Sequence, residues 1–216
     1  MNLHNFIPRF LSPELKLSSG EYPVVMVIGP RQSGKTTLVR EQFPEHAYAN
    51  LEDPQLRALA RDDAKAFLHR FPAPVIFDEV QRVPELLSHL QVVVDERPDS
   101  KGQWILTGSN QLKLRESVSQ SLAGRTAVLT LLPLSIAELR ATKRDLPGSY
   151  GEWIHHGFLP RTYHQGIRPL SAMRDYYQTY VERDVRLGYS ASKHPIRSRG
   201  IPWLADSLKT WSSPRP

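Results

Sequence analysis

Apolar and polar residues alternate along this chain in two rhythms. Continuous apolar runs, rich in β-branched residues, occur at Val24–Ile28 ("VVMVI"), in "APVIFDE", in "QWILTGSN" and in "AVLTLL". Runs of this kind predict strands covered on both faces. A shorter one in "HAYANLEDP" predicts a further strand, ending in Glu52 and Asp53. Between them the spacing is helical. Helices are predicted over Gly34–Phe43 (stopped before Pro44), Pro54–Ala60, Asp62–Phe71, Glu85–Glu96 and Leu112–Leu122, and Ser135 is placed to cap "IAELRA". Leu86, Leu87, Leu90, Val93 and Val94 form one stripe on the fourth of these.

Strands alternating with helices predict an α/β domain with a largely parallel central sheet flanked by helices. Such sheets bind ligands at the carboxyl ends of their strands. Three of the runs end there in "GPRQSGKT", "DE" and "TGSN", so the chemistry gathers on one edge. Residues 1–22 read as an approach segment with a short helix, and 23–145 as the α/β core. From about Leu146 the pattern is helical only, giving a small lid-like region over 146–186. Its helix Leu170–Arg186 carries Leu170, Met173, Tyr177 and Tyr180 at helical spacing, a core stripe by periodicity. The rival use of Tyr176, Tyr177 and Tyr180 is a stacking platform for nucleic acid.

Composition narrows the partners. With no cysteine, a disulfide scaffold and a thiolate zinc site are excluded, and a reducing cytoplasm is the expected location. The eight histidines are scattered, with only His155 and His156 adjacent. No apolar run is long enough for a membrane span, and the N-terminus lacks a signal-peptide core. The net charge of +6 invites a nucleic-acid reading, but residues 187–216 hold Lys193, Arg197, Arg199, Lys209 and Arg215 against Asp206 alone. Six serines and four prolines in that segment predict a disordered basic tail, and DNA is only weakly supported as a partner.

The sharpest signal is Gly29-Pro30-Arg31-Gln32-Ser33-Gly34-Lys35-Thr36-Thr37, which follows a strand and opens a helix. Glycines at this spacing let backbone N–H groups turn inward around a phosphate, and the helix adds its positive end. Lys35 then reaches the β- and γ-phosphates of a nucleotide, and the Thr36 hydroxyl ligates Mg²⁺. Asp78 is the second candidate metal residue, and Glu79 the candidate that polarises the attacking water. Thr107, Ser109 and Asn110 end the next strand run, where a polar group can sense the γ-phosphate. Arg125, just before the fifth strand, is the candidate finger onto a neighbouring subunit, which implies a homo-oligomer; Arg115 is its rival. "TKRD" (Thr142–Asp145) imitates a guanine-specifying motif but follows a helix, and Asp78 lacks the glycine of a GTPase switch, so GTP is disfavoured.

In order, "VVMVIGPRQSGKTTLV", "YANLEDP", "VIFDEVQRVPELL", "WILTGSNQLKL", "SLAGRTAVLTLLPLSIAEL", "GFLP" and "YYQTYVERDVR" resemble the prokaryotic AAA-like P-loop ATPases that carry a C-terminal domain of unknown function, relatives of the archaeal-type and signalling ATPases. The resemblance covers about residues 20–186. It implies that Gly29–Thr36 is Walker A, Asp78-Glu79 Walker B, "TGSN" the sensor region and Arg125 the finger-like arginine. "GFLP" is similar to the family's element near the base, with Phe158 standing where the family has glycine. Members continue for a further large domain after this point, so a truncated gene or a shifted frame after about Arg186 is the expectation. Three readings follow: an ATP-hydrolysing enzyme, a nucleotide-gated binding module with little turnover, and a truncated remnant that only binds nucleotide.

Overall fold

The apolar runs form the strands β1 (Val24–Gly29), β2 (Ala47–Asn50), β3 (Val75–Asp78), β4 (Trp104–Ser109) and β5 (Thr126–Thr130). The computed structural model describes residues 7–181 apart from 98, 110, 111 and 143, with backbone only for 112, 113, 115, 180 and 181. The strands form one sheet in the order β2-β3-β4-β1-β5, and every pairing is parallel. All five carboxyl ends therefore lie on one edge. β4 separates β1 from β3, which brings the ends of β1, β4 and β3 side by side at the site.

Strand periodicity explains the two main cores. Val24, Met26 and Ile28 of β1 face one layer with Val75, Phe77, Trp104 and Leu106; Val25 and Val27 face the other with Ile76 and Ile105. Helices cover both faces, so the runs carry no polar alternation. On the first face, α3 (Pro54–Asp62), α4 (Ala64–Arg70), α5 (Leu86–Asp95) and α6 (Leu112–Ser121) contribute residues such as Ala60, Phe67, Leu90 and Val118. On the second, α1 (Ser12–Glu21) supplies Leu15, and α2 (Lys35–Gln42) supplies Leu38 and Val39. Asp53 and Asp63 cap α3 and α4, accepting from the N–H groups of their first turns.

A third core joins the N-terminal segment to the helical region. Ile7 packs with Leu134, Leu139 of α7 (Ile136–Arg140) and Trp153 of α8 (Tyr150–His156). Trp153 stacks on Phe158 with centroids 6.1 Å apart. Ser135 does cap α7, within a reciprocal capping box completed by Glu138.

The chain divides into residues 1–172 and 173–216. The short helix α9 (Pro160–His164) belongs to the first unit, and α10 (Pro169–Tyr176) crosses the division. The described part of the second unit finishes α10 and adds a π-helical turn, Tyr177–Val181. The core role expected for Leu170, Met173 and Tyr177 does not hold: α10 contains no buried residue, and Tyr177, just beyond it, is 40% exposed. Helical periodicity says that residues share a face, not that anything covers it. The side chain of Tyr180 and the tail over 187–216 lie outside the described residues. Among the described residues no helix is long and apolar enough to cross a membrane.

Phe67 is the packing hub of the first face, with its ring 5.2 Å from both Phe71 and Phe77. Phe67→Ala is expected to cost about 3–5 kcal/mol of stability, the range for deleting a buried aromatic ring. A stability change from urea unfolding well under ~1 kcal/mol would mean the aromatic cluster does not anchor α4.

Candidate functional site

Gly29 ends β1 at φ 157°, and a Cβ there would collide with the Leu131 carbonyl. The loop turns through Gln32 (φ 61°) and Gly34 (φ 94°), the second a left-handed position that suits glycine. α2 starts directly after it with no side chain capping its first turn, so its leading N–H groups stay available to an anion. Lys35 is 5% exposed and lies along the inside of the loop, donating to the carbonyls of Gly29 (3.2 Å) and Pro30 (3.0 Å). Burial pulls its ammonium below the usual lysine range, while the charges of Glu79 and then Asp78 oppose that. Ser33 is buried, and its hydroxyl has no hydrogen-bond partner. Thr37 is exposed on the first turn of α2.

Asp78, 2% exposed at the end of β3, is the centre of a hydroxyl cluster. Thr36 donates to its two oxygens (3.1 and 2.9 Å), Tyr48 to Oδ2 (2.7 Å) and Thr107 to Oδ1. Burial first, and then the bond to Asp78, raise the Tyr48 hydroxyl above its ordinary range. Glu79 adopts a left-handed backbone (φ 60°, ψ 44°), a conformation that costs a non-glycine residue about 1 kcal/mol or more. That turn directs its N–H to the Thr107 hydroxyl (3.2 Å). Its carboxylate accepts from Gln81 Nε2, and Gln81 Oε1 in turn accepts from Ser109 N (3.1 Å). Ser109 Oγ is buried without a partner.

The residues present suit a magnesium nucleotide. Thr36 and Asp78 are hard oxygen donors, the type magnesium prefers. The unpartnered hydroxyls of Ser33 and Ser109 would gain partners from a polar guest, and buried polar groups normally have them.

Other predicted residues fall elsewhere. Asn110 lies outside the described residues, and so does the Arg115 side chain. Arg125 immediately precedes β5, and its carbonyl accepts from Val24 N (3.2 Å), so it lies at the amino edge of the sheet, opposite its own phosphate loop. There it forms a paired bridge to Asp95, with Nη2 to Oδ2 at 2.9 Å, and donates to the Ala123 carbonyl (3.0 Å). Those bonds hold the exposed Asp95 carboxyl below its usual range. In "TKRD", Thr142 bonds back to the Leu139 carbonyl (2.6 Å) and Arg144 to that of Tyr163 (2.7 Å), and the segment follows α7, not a strand.

The sequence pattern does not mark three further residues: Tyr48 on Asp78, Gln81 between Glu79 and β4, and Arg9. Arg9 is 7% exposed, pairs with Glu138 and donates to the Ser33 carbonyl. Burial pushes the Glu138 carboxyl up, but donation from Ser135, Phe10 and Arg9 outweighs it and holds the group below its usual range. Only the Ser-x-x-Glu spacing at Ser135–Glu138 hinted at any of this.

A phosphate-type loop after the first strand of a parallel sheet, with an acid closing the third, defines the P-loop class of nucleotide-binding proteins. A family model described as an AAA domain matches residues 21–140, and the chain belongs to this family of AAA-like P-loop ATPases. Uncharacterized proteins of Mycobacterium tuberculosis and Mycobacterium bovis are each 33% identical to it over 167 residues. Those matches cover 76% of this chain and 36% of each relative, so the chain spans about a third of their length. The Walker-type ATPase of Pyrococcus abyssi shares the fold at a TM-score of 0.57 and 17% identity, covering 88% of this chain and 77% of that one.

Proposed function

We propose that this chain binds Mg²⁺-ATP on Gly29–Thr37 and hydrolyses it. The observation that carries the reading is the junction of two strand ends: the Thr36 hydroxyl, next to Lys35, lies 2.9 Å from a carboxylate oxygen of Asp78, next to Glu79. In this reading Thr36 and Asp78 hold the magnesium ion, which when bound neutralises phosphate charge. Pro30, Arg31, Gln32 and Ser33 supply loop backbone, Lys35 leaves its two carbonyls for the phosphates, and Glu79 accepts a proton from water. Thr107 orients Asp78 and the Glu79 backbone, and Ser109 offers its hydroxyl toward the substrate. Phosphate release from ATP with magnesium, abolished by chelation, tests this; no release in either condition contradicts it.

A second reading draws on Gln81. While Gln81 donates to it, the Glu79 carboxylate is engaged within the protein and turned from the attacking water, so resting turnover is slow and the chain acts mainly as a nucleotide-gated module. Membrane and DNA partners have no support from the site itself.

Arg125 acts in trans in this reading, since its own phosphate loop is across the sheet. The Asp95 pair holds the guanidinium until a neighbour's nucleotide arrives. Arg125→Ala is then expected to lower turnover by about 10³-fold in assembled protein, with ATP affinity retained, because such an arginine acts on transition-state charge. A phosphate-release series over protein concentration checks it. Per-subunit rates that ignore both concentration and the substitution remove Arg125 from the mechanism.

A further inference from the structure

Arg9 precedes α1 and is distant in sequence from every other residue of the site. Its Nε donates to Glu138 Oε1 (3.0 Å), Nη1 to the Ser33 carbonyl (2.8 Å), and Nη2 to the carbonyls of Leu132 (2.7 Å) and Pro133 (3.3 Å). These four bonds leave the guanidinium no free fork with which to grip a phosphate itself. Stability alone is a poor reason for such a group, because a buried ion pair is often no more stabilising than apolar side chains of the same volume. The partners suggest another reason. In a planar trans peptide the C=O and N–H point in opposite directions. A Ser33 carbonyl held by Arg9 on one side turns the Gly34 N–H to the other, the concave side of the loop. Arg9 Nη1 also lies 3.6 Å from where a Cβ on Gly34 would stand, so the guanidinium is seated against this turn.

Glu138 fixes the arginine. It accepts from Phe10 N (2.9 Å) as well as Arg9, and its other oxygen accepts from Ser135 N (2.8 Å) and Ser135 Oγ (3.0 Å). One carboxylate thus ties the N-terminal segment to α7, and Arg9 carries that tie to the phosphate loop.

We propose that Arg9 is a positioning residue of the phosphate loop, oriented by Glu138, which sets polyphosphate affinity without touching the ligand. The inference rests on the ATP-binding reading above. It is tested in the full chain by calorimetric titration of ATP and of ADP into Arg9→Lys and into the double variant Arg9→Met/Glu138→Met, with folding followed by near-UV circular dichroism. The double variant removes both charges together, so neither is left buried without its partner, and it loses the clamp on Ser33. The carbonyls of Leu132 and Pro133 and the N–H groups of Phe10 and Ser135 lose partners as well, which is why folding is followed alongside binding. Both variants are expected to bind ATP and ADP about tenfold more weakly, the equivalent of one charge-assisted hydrogen bond. A folded double variant that binds like the unsubstituted chain overturns the proposal and leaves a purely structural pair. Should neither variant fold, hydrogen exchange on the unsubstituted chain decides. ATP is expected to slow exchange over residues 7–12 and 132–138 together with 29–36, and slowing confined to the loop overturns the proposal. An unsubstituted chain that binds no ATP overturns the ATP-binding reading, and this inference with it.

Discussion

Lys35→Ala is expected to leave the protein folded and to weaken ATP binding by about a hundredfold or more, ~3 kcal/mol, the scale of a charge-assisted hydrogen-bond pair. The ammonium lies inside the loop on the carbonyls of Gly29 and Pro30, and the substitution takes that charge out of the loop. The side chain is a buried cation, so its removal also relieves the cost of desolvating that charge, and the fold is expected to persist. Phosphate oxygens, by contrast, have no other lysine nearby in the loop or first turn of α2. A fluorescent ATP analogue that binds the variant as tightly as the parent would show that Gly29–Thr36 does not hold the triphosphate.

Glu79→Gln is expected to keep ATP binding and lose about 10²–10⁴-fold in turnover, the usual contribution of a positioned general base. The amide preserves the side chain's shape, and its oxygen can still accept from Gln81. The left-handed backbone and the bond from Glu79 N to Thr107 are independent of the carboxylate. Binding and chemistry therefore separate cleanly in this variant, which makes single-turnover phosphate release the appropriate measurement. Unchanged turnover would reduce Glu79 to a partly exposed acid at a strand end.

The parts of this account that were legible in the sequence are the local ones. β1 and β4 are buried at every position and sit in the middle of the sheet, so their apolar runs are unbroken. The phosphate loop is legible because its chemistry is set by contiguous residues. Edge position blurs the signal: β5, paired on one side only, is partly exposed throughout, and Val128 is 45% exposed. Arg9 and Ser33 lie 24 residues apart, Arg9 and Glu138 129, and Tyr48 and Asp78 30. Parallel crossovers bring these residues together, and no local spacing encodes the meeting. The Arg125 placement was partly available in advance. A residue that opens a parallel strand lies at the edge opposite the residues that close its neighbours, which separates Arg125 from the phosphate loop of its own chain. The Leu170–Tyr177 stripe fails for the converse reason, since amphipathic spacing does not say what the apolar face will meet.

The central claim is that the turn between β1 and α2 holds the phosphates of ATP. Calorimetric titration of ATP into the 216-residue chain in the presence of magnesium tests it most directly. Saturable one-to-one binding is expected, displaced by ADP, barely affected by adenosine and lost in Lys35→Ala. Absence of binding, or binding that adenosine displaces as well as ADP does and that survives Lys35→Ala, would contradict the account.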